Sequence, residues 1–263
     1  MNLKSPEYVP GHGLIKGKSV LVTAAAGAGI GFSAATKAVE EGAQAIVLSD
    51  IHEGRLEAAV DKLREDTGLD KVFGKVCNVA VEDDVRALVD FAEEKLGGTD
   101  ILINNAGLGT SKLLVEMEDD EWNRVIDVTL NGTMRMTRYT MRVMKERGRG
   151  GVIVNNASVL GWRAQKEQCH YAAAKAGVMA LTRCAAVEAA EFDVRINAVS
   201  PSIVLHPMLR KSASQELLEE LESKEAYGRA AEAWEVANVM MFLASDYSSY
   251  MTGEVVSVSS QRG

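Results

Sequence analysis

The sequence SVLVTAAAGAGIG at residues 19–31 combines an apolar run with a glycine-rich stretch. Its first five residues are rich in aliphatic and β-branched side chains, which predicts a buried strand. Small residues then lead into a helical pattern that begins near residue 30. They let the backbone approach a pyrophosphate closely, and the N-terminus of the following helix attracts anions. Tight strand-to-helix turns also use glycine, so the turn alone leaves a purely structural role open.

Strand and helix patterns alternate along most of the chain. Short runs rich in apolar residues indicate strands at 19–23, 45–50, 71–79, 101–106, 151–158, 194–200 and 253–259. Helical patterns lie near 30–42, 54–66, 82–97, 119–147, 171–192 and 232–245. Because most of the strand runs are continuously apolar, we expect helices to cover both faces of the sheet. We therefore predict an α/β protein with a doubly wound parallel sheet in a single domain, residues 1–263.

Two segments do not follow this alternation. Residues 1–17 form an N-terminal extension whose role the pattern does not define. Residues 202–231 are polar, contain an acidic helical stretch at 212–225, and are long enough to form a lid over a substrate. The apolar side chains between Ile203 and Leu209 suit a lid that closes over fused rings.

The composition argues against several classes of protein. The formal net charge of −8 and the lack of a basic cluster disfavour binding to nucleic acid. The chain has no uncharged apolar run of about eighteen residues, so we expect no membrane span, and its first residues do not resemble a secretory signal. An odd number of cysteines without C-x-x-C spacing predicts reduced thiols and a cytoplasmic location. The four histidines form no metal-ligand pattern, and we expect no metal.

Asp50, at the end of the second predicted strand, bears on the choice of cofactor. A carboxylate at this position can accept hydrogen bonds from both hydroxyls of an adenosine ribose. It would repel a 2′-phosphate by an amount on the order of 1–4 kcal/mol. Arg55 is the nearest basic residue after it, about one turn into the next helix. We therefore predict NAD rather than NADP, although a helix cap or a surface charge remains an alternative for Asp50.

Ser158, Tyr171 and Lys175 form a candidate catalytic set. Tyr171 and Lys175 are four residues apart on one helix, so both side chains can reach one site. A tyrosine titrates near pH 10, and lowering its pKa to about 7 requires about 4 kcal/mol. An ammonium group together with the positive ring of an oxidised nicotinamide can supply this. Tyr171 would then exchange a proton with a substrate oxygen that Ser158 also binds.

These features together resemble the short-chain dehydrogenase/reductase family over about residues 18–260. The resemblance rests on the glycine turn at 23–31, N-N-A-G at 104–107, the serine with Y-x-x-x-K, and N-A-V-S-P at 197–201. It implies a Rossmann fold with strand order 3-2-1-4-5-6-7. It also implies a homotetramer formed through the helices near 119–147 and 171–192 and the C-terminal strand.

The resemblance also implies roles for individual residues. Lys175 would bind the hydroxyls of the nicotinamide ribose, Asn78 and Val79 would border the adenine, and Val204 would meet the carboxamide. The full set expected to bind the cofactor is Gly27, Gly29, Ile30, Gly31, Asp50, Asn78, Val79, Asn105, Gly107, Tyr171, Lys175 and Val204.

The chain departs from the family pattern at several positions. Ala24 replaces the first glycine of a turn that is also one residue longer than usual. Asn78 replaces an aspartate at the adenine edge, Ser202 replaces a glycine, and His206 replaces a threonine. Thr129 stands where the family has a fourth catalytic residue, an asparagine that supports a water on the proton path. We expect Thr129 to hold that water with its hydroxyl, or Asn131 to take its place.

Two longer stretches narrow the resemblance. NNASVLGWRAQ at 155–165 and FLASDYSSYMTGEVVSVS at 242–259 are similar to an actinobacterial subgroup that acts in steroid (cholesterol-type) ring degradation. The resemblance implies a ring hydroxyl of a hydroxy-hydrindanone propanoyl-CoA as the reacting group. Arg163, Arg210 and Lys211 are candidates for contacts with the CoA phosphates, with solvated surface charges as the alternative. His206 is a candidate substrate contact.

Two other functions remain open at this point. A 3-oxoacyl-thioester reductase would fit the same catalytic set, but such enzymes commonly use NADPH, which Asp50 disfavours. A sensor that binds NAD without turnover would fit the loss of the catalytic asparagine, but the intact Ser158, Tyr171 and Lys175 argue against it.

Overall fold

The computed structural model describes residues 5–205 and 215–260, which contain one seven-stranded parallel sheet. The strand order is 3-2-1-4-5-6-7. The strands are β1 (Ser19–Thr23), β2 (Ala45–Asp50), β3 (Val72–Val76), β4 (Ile101–Asn104), β5 (Gly151–Asn156), β6 (Val194–Pro201) and β7 (Val255–Val258). The predicted doubly wound α/β fold is confirmed.

Helices cover both faces of this sheet. They are α1 (Ile30–Glu40), α2 (Glu53–Thr67), α3 (Glu82–Leu96), α4 (Asp119–Ile126), α5 (Gly132–Arg147), α6 (Cys169–Ala189), α7 (Gln215–Ser223) and α8 (Ala233–Ala244). Alternate strand residues point to opposite faces, so Val20 and Val22 pack with α1, α2 and α8, whereas Leu21 packs with α3, α5 and α6. This two-sided burial explains why the strands are continuously apolar.

One predicted helix is divided in the structure. The helical pattern at 119–147 corresponds to α4 and α5, joined by a π-helical turn at Asp127–Asn131. The Thr133 hydroxyl donates a hydrogen bond of 2.7 Å to the Thr129 carbonyl within this region. A single widened turn leaves the apolar periodicity nearly unchanged, so the sequence pattern does not reveal it.

The N-terminal extension, described from residue 5, packs against α1 and α8. The Tyr8 ring meets Trp234 edge to face, with 5.3 Å between the ring centroids. Lys37 of α1 is only 1% exposed, and its ammonium group donates a hydrogen bond to the Val9 carbonyl. The Glu41 carboxylate accepts a hydrogen bond of 3.0 Å from the Leu14 amide. The extension therefore covers one end of α1, the helix that follows the glycine turn.

The segment proposed as a lid is described at both ends. Residues 203–205 pair with Ala231, since the Ala231 amide donates to the Ile203 carbonyl at 2.9 Å and Leu205 donates to the Ala231 carbonyl at 3.1 Å. Residues 206–214 lie outside the described residues. In the described part of the chain, no helix combines the length and apolar character that crossing a membrane requires. No cluster of potential metal ligands occurs in those residues either.

Candidate active site

The carboxyl ends of the central strands bring the candidate residues together. Thr23 ends β1, Asn105 follows β4, Ser158 follows β5, and Val204 follows β6. In open parallel sheets, ligands bind in the crevice outside the carboxyl ends of the strands. The positions of these residues therefore define one candidate site at that edge of the sheet.

The glycine turn is packed tightly on its inner side and open on its outer side. A side chain at Gly31 would collide with the Ala24 carbonyl and the Asn105 amide. A Cβ atom at Gly27 or Gly29 would meet no atom within 4 Å. Gly27 has a φ of +125° and Ala24 a φ of +50°, so this alanine occupies a backbone region that favours glycine. The open side leaves room for a ligand directly over the turn.

The N-terminus of α1 completes this surface. Gly29 is the N-cap, no side chain caps the helix, and its first turn contains no acidic residue. Ile30 occupies the first helical position. Uncapped amide groups and the positive end of the helix dipole favour an anionic group. This set of donors fits the pyrophosphate of a dinucleotide.

The Asp50 carboxylate lies beside the glycine turn. It accepts hydrogen bonds from the Ala26 amide at 3.2 Å and from the His52 amide at 3.1 Å. Burial raises the pKa of this carboxyl group, an effect opposed by the hydrogen bond from the Ala26 amide, by the guanidinium of Arg55 and by a backbone hydrogen bond from Ile51. Arg55, the nearest basic residue after Asp50, has its Nη2 3.9 Å from Asp50 Oδ1. Because α2 begins at Glu53, Arg55 lies in its first turn.

A chain of hydrogen bonds links the glycine turn to Lys175. The Asn105 amide donates to the carbonyls of Thr23 and Ala24, both at 3.2 Å. Asn156 in turn donates to Asn105 Oδ1 at 2.9 Å. The Lys175 ammonium donates to the Asn156 carbonyl at 2.5 Å. The lysine position is therefore coupled to the ends of β1, β4 and β5, and not only to its own helix.

Ser158, Tyr171 and Lys175 converge, as their spacing predicts. The Ser158 hydroxyl lowers the pKa of the Tyr171 phenol by hydrogen bonding, but burial is the larger effect and raises that pKa to about 12. Burial lowers the pKa of Lys175 to about 8, and its Nζ lies 5.6 Å from the centroid of the Tyr171 ring. The sequence predicts a lowered phenol pKa from Lys175 together with an oxidised nicotinamide. In this protein the desolvation of the phenolate outweighs the hydrogen bond from Ser158.

Thr129 is buried and bound to a neighbouring loop. Its hydroxyl donates to the Leu108 carbonyl at 3.1 Å and accepts from the Leu108 amide at 3.0 Å. The single hydroxyl proton is therefore used by the backbone, while one lone pair of the oxygen remains for a water, and the role of Thr129 on the proton path stays a prediction. The Asn131 amide donates to the Asp127 carboxylate at 3.1 Å, and the alternative that Asn131 takes the place of the family's asparagine stays a prediction.

A cavity of about 260 Å³ lies next to Ser158 and Tyr171. Its wall is mainly apolar and includes Ile30, Val159, Leu160, Ile203, Val204 and Leu221. Sequence reasoning missed Leu160, Gln165 and Leu221 as lining residues. Gln165 lies between the candidate serine and tyrosine in sequence, which was an available signal. Leu221 belongs to an acidic helix, and the sequence of that helix does not indicate which of its faces points towards the site.

Some of the other candidate residues lie near the site, and others lie outside the described residues. Asn78 Oδ1 accepts from the Ala80 amide at 3.1 Å, so part of its hydrogen-bonding capacity is used within its own turn. Val79 is buried against Gly132. A Cβ at Gly107 would lie 3.4 Å from Lys175 Nζ, which puts this glycine beside the candidate catalytic lysine. Arg163 follows the short helix Val159–Gly161, whereas the predicted contacts His206, Arg210 and Lys211 lie outside the described residues.

This fold and this arrangement of serine, tyrosine and lysine define the short-chain dehydrogenase/reductase family, to which the chain belongs. A family model described as enoyl-(acyl carrier protein) reductase matches residues 24–260. The chain is therefore an oxidoreductase of a family that uses nicotinamide cofactors.

Similar proteins of more specific description include two from mycobacteria. A Mycobacterium tuberculosis protein named (5R,7aS)-5-hydroxy-7a-methyl-1-oxo-2,3,5,6,7,7a-hexahydro-1H-indene-carboxyl-CoA reductase is 57% identical over 262 residues, covering 99% of both chains. The crystal structure of a short chain dehydrogenase from Mycobacterium smegmatis is also 57% identical, with a TM-score of 0.88 and coverage of 99% of both chains. The 3-oxoacyl-[acyl-carrier-protein] reductase FabG from Thermotoga maritima is 38% identical over 93% of this chain and 97% of that protein.

Proposed function

We propose that this protein is an NAD-dependent oxidoreductase that transfers a hydride between the cofactor and a ring alcohol or ketone of a bicyclic acyl-CoA. The observation that carries the proposal is the apolar cavity that opens beside Ser158 and Tyr171. The M. tuberculosis relative at 57% identity is named for a methylated bicyclic hydroxy-ketone with a CoA thioester. Its fused-ring skeleton matches the steroid-derived substrate that the sequence resemblance implies.

Proton transfer at the substrate oxygen is assigned to Tyr171. Ser158 and Tyr171 would both hydrogen-bond that oxygen, and the phenol would accept its proton in oxidation or donate one in reduction. Lys175 holds a positive charge near the ring and retains ammonium hydrogens for ribose hydroxyls, since one donates to Asn156. A nicotinamide, when bound, supplies hydride exchange and, in its oxidised form, a second positive charge that favours the phenolate.

NAD is the proposed cofactor because Asp50 lies next to the glycine turn. Its carboxylate can accept hydrogen bonds from ribose hydroxyls and disfavours a phosphate in the same place. Arg55 is half exposed and approaches Asp50 at 3.9 Å, which reduces this repulsion without cancelling it. We also propose that the remaining residues of the predicted set bind this cofactor.

The wider context is proposed on the same basis. A single domain would act as a homotetramer in the cytoplasm, with residues 202–231 as the lid over the substrate. An exposed groove of about 490 Å³ between α5 and α6, lined partly by Met134, Met141 and Leu181, supports association through these helices.

A 3-oxoacyl-thioester reductase is the second candidate, supported by the 38% identity to FabG. Asp50 argues against the NADPH that such enzymes commonly use. A non-catalytic NAD sensor is less well supported, because Ser158, Tyr171 and Lys175 lie together.

The Tyr171→Phe variant tests the reaction. Removing the phenol hydroxyl should lower kcat by roughly 100- to 10,000-fold on a bicyclic hydroxy-acyl-CoA, because general acid–base catalysis contributes about that much. Oxidation by the wild type should become faster as pH rises, since the raised pKa of Tyr171 leaves little phenolate at neutral pH. Absorbance of the reduced cofactor measures both. Unchanged turnover in the variant would refute the assigned role, and saturable NAD binding without turnover of any alcohol would favour the sensor.

The Asp50→Ala variant tests the cofactor. KM for NAD should rise by roughly tenfold or more, because two charge-assisted hydrogen bonds to the ribose are lost. KM for NADP should stay constant or fall. Arg55→Ala is the matched control and should keep the preference for NAD. A ratio of NAD to NADP efficiency that Asp50→Ala leaves unchanged would contradict the assignment.

A further inference from the structure

The polar side chains that line the cavity are few, and most have an assigned partner. Ser158 and Tyr171 face the reacting oxygen in the proposed function, and Asn156 donates to Asn105 Oδ1 at 2.9 Å. The other two polar lining residues are Gln165 and Ser202. Neither side chain forms a hydrogen bond or an ion pair with another residue in the ranges 5–205 and 215–260. The amide of Gln165 is the larger of these two groups and has both donors and acceptors to offer.

Gln168, three residues further along, has a structural role and provides a comparison for Gln165. Gln168 is buried, and its Nε2 donates to the Thr110 carbonyl at 3.0 Å and to the Ser111 hydroxyl at 2.9 Å. Gln165 contributes to this packing only through its backbone, because its carbonyl accepts a bond of 3.3 Å from the Gln168 amide. The backbone of Gln165 is thus held in place, while its side-chain amide has no hydrogen-bond partner among the described residues.

An uncommitted amide in an apolar cavity has a consequence for the choice of substrate. A bound hydrocarbon ring would remove water from the amide without replacing its hydrogen bonds, which is unfavourable. A ring that carries a second oxygen would restore them. Sites of this kind discriminate strongly against analogues that lack the matching group.

We propose that Gln165 is a specificity-determining residue that donates a hydrogen bond to a second oxygen of the substrate, a carbonyl on the ring system. This inference rests on the proposed function and specifies the class of substrate: a bicyclic ring alcohol that also carries a ring ketone. The compound in the name of the M. tuberculosis relative has this pair of groups, a 5-hydroxyl and a 1-oxo group.

The test compares two substrates in three proteins. The substrates are the 5-hydroxy-1-oxo bicyclic CoA thioester and its analogue without the 1-oxo group. The proteins are the wild type, Gln165→Leu and Lys166→Leu, the last being the matched control at the exposed neighbouring residue, which does not line the cavity. Gln165→Leu should lower kcat/KM for the keto substrate by about 10- to 100-fold, because one hydrogen bond and the desolvation of its partner are at stake. It should leave kcat/KM for the analogue nearly unchanged, and Lys166→Leu should leave kcat/KM for both substrates within about twofold.

The outcomes separate this proposal from the proposed function. If Gln165→Leu lowers kcat/KM equally for both substrates, or for neither, Gln165 does not bind the ring carbonyl and the inference is wrong, while turnover by the wild type would still support the function. If the wild type oxidises neither compound, the proposed function itself fails.

Discussion

Ala24 has the least favourable backbone conformation in the candidate cofactor site. Its φ of +50° lies in the left-handed region, which costs an alanine about 1–2 kcal/mol. Glycine avoids this cost but loses about 0.4–1 kcal/mol through the greater freedom of the unfolded chain. Ala24→Gly should therefore raise the free energy of unfolding by about 0.5–1 kcal/mol, and Tm by roughly 1–3 °C. Thermal unfolding measures the change.

Ala25→Gly is the matched control for this prediction. Ala25 is fully buried and does not have a positive φ, so glycine there should destabilise the protein by about 1 kcal/mol. Equal losses from both exchanges would show that the left-handed conformation of Ala24 carries no cost.

For individual residues, sequence spacing predicted contacts between side chains on the same helix, but not contacts between distant segments of the chain. Tyr171 and Lys175 share a helix face because they are four positions apart, so their convergence followed from sequence. The partner of the Thr129 hydroxyl lies on a separate loop at Leu108, and no spacing rule reaches it. The reach of Arg55 back to Asp50 likewise depended on where α2 begins.

Among the elements, the loop at 107–113 is held from two sides. Thr129 binds Leu108 on one side, and His170 of α6 pairs with the Thr110 hydroxyl at 2.8 Å on the other. A Cβ at Gly109 would lie 3.3 Å from the Tyr171 ring, so this loop forms a wall against the proposed catalytic phenol. Its position therefore affects both the stability of the protein and the orientation of Tyr171.

The Thr129→Val variant tests this anchor. Valine keeps the shape of threonine but leaves the amide and carbonyl of Leu108 without their partner. The free energy of unfolding should fall by about 2–3 kcal/mol, since each unpaired buried group costs about 1–3 kcal/mol. kcat should fall with it as the wall beside Tyr171 loosens. Thr129→Ser keeps the hydroxyl and should lose clearly less stability in chemical unfolding. If the two variants are equally stable, the hydroxyl does not anchor the loop.

The sequence pattern predicted where the strands lie, but not where one of the helices is divided. The alternation of apolar runs located all seven strands, because strands covered on both faces leave a strong signal. The helical pattern at 119–147 did not reveal the π-helical turn at 127–131. The buried positions Val125, Thr129, Thr133 and Thr137 keep a four-residue spacing through this turn, so the periodicity does not mark it.

Over the whole molecule, the N-terminal extension was the least predictable part. A lysine within a helix is usually exposed to solvent, yet the side chain of Lys37 is only 1% exposed. Its hydrogen-bond acceptor is the carbonyl of Val9 in the extension. A buried ammonium group requires such a partner, so the extension and α1 depend on each other. Only the assembled fold brings the two together.

The proposed homotetramer is the property of the whole molecule that is easiest to test. The outer face of α6 exposes the small residues Ala173, Ala176 and Ala180, which allow another helix to approach closely. A buried glutamate in such a contact would be unpaired, so Ala180→Glu should reduce the mass measured by light scattering from four chains to two or one. Ala87→Glu places the same charge on an exposed position of α3 and should keep four chains. A single-chain mass for the wild type, or a tetramer that survives Ala180→Glu, would contradict association through this face.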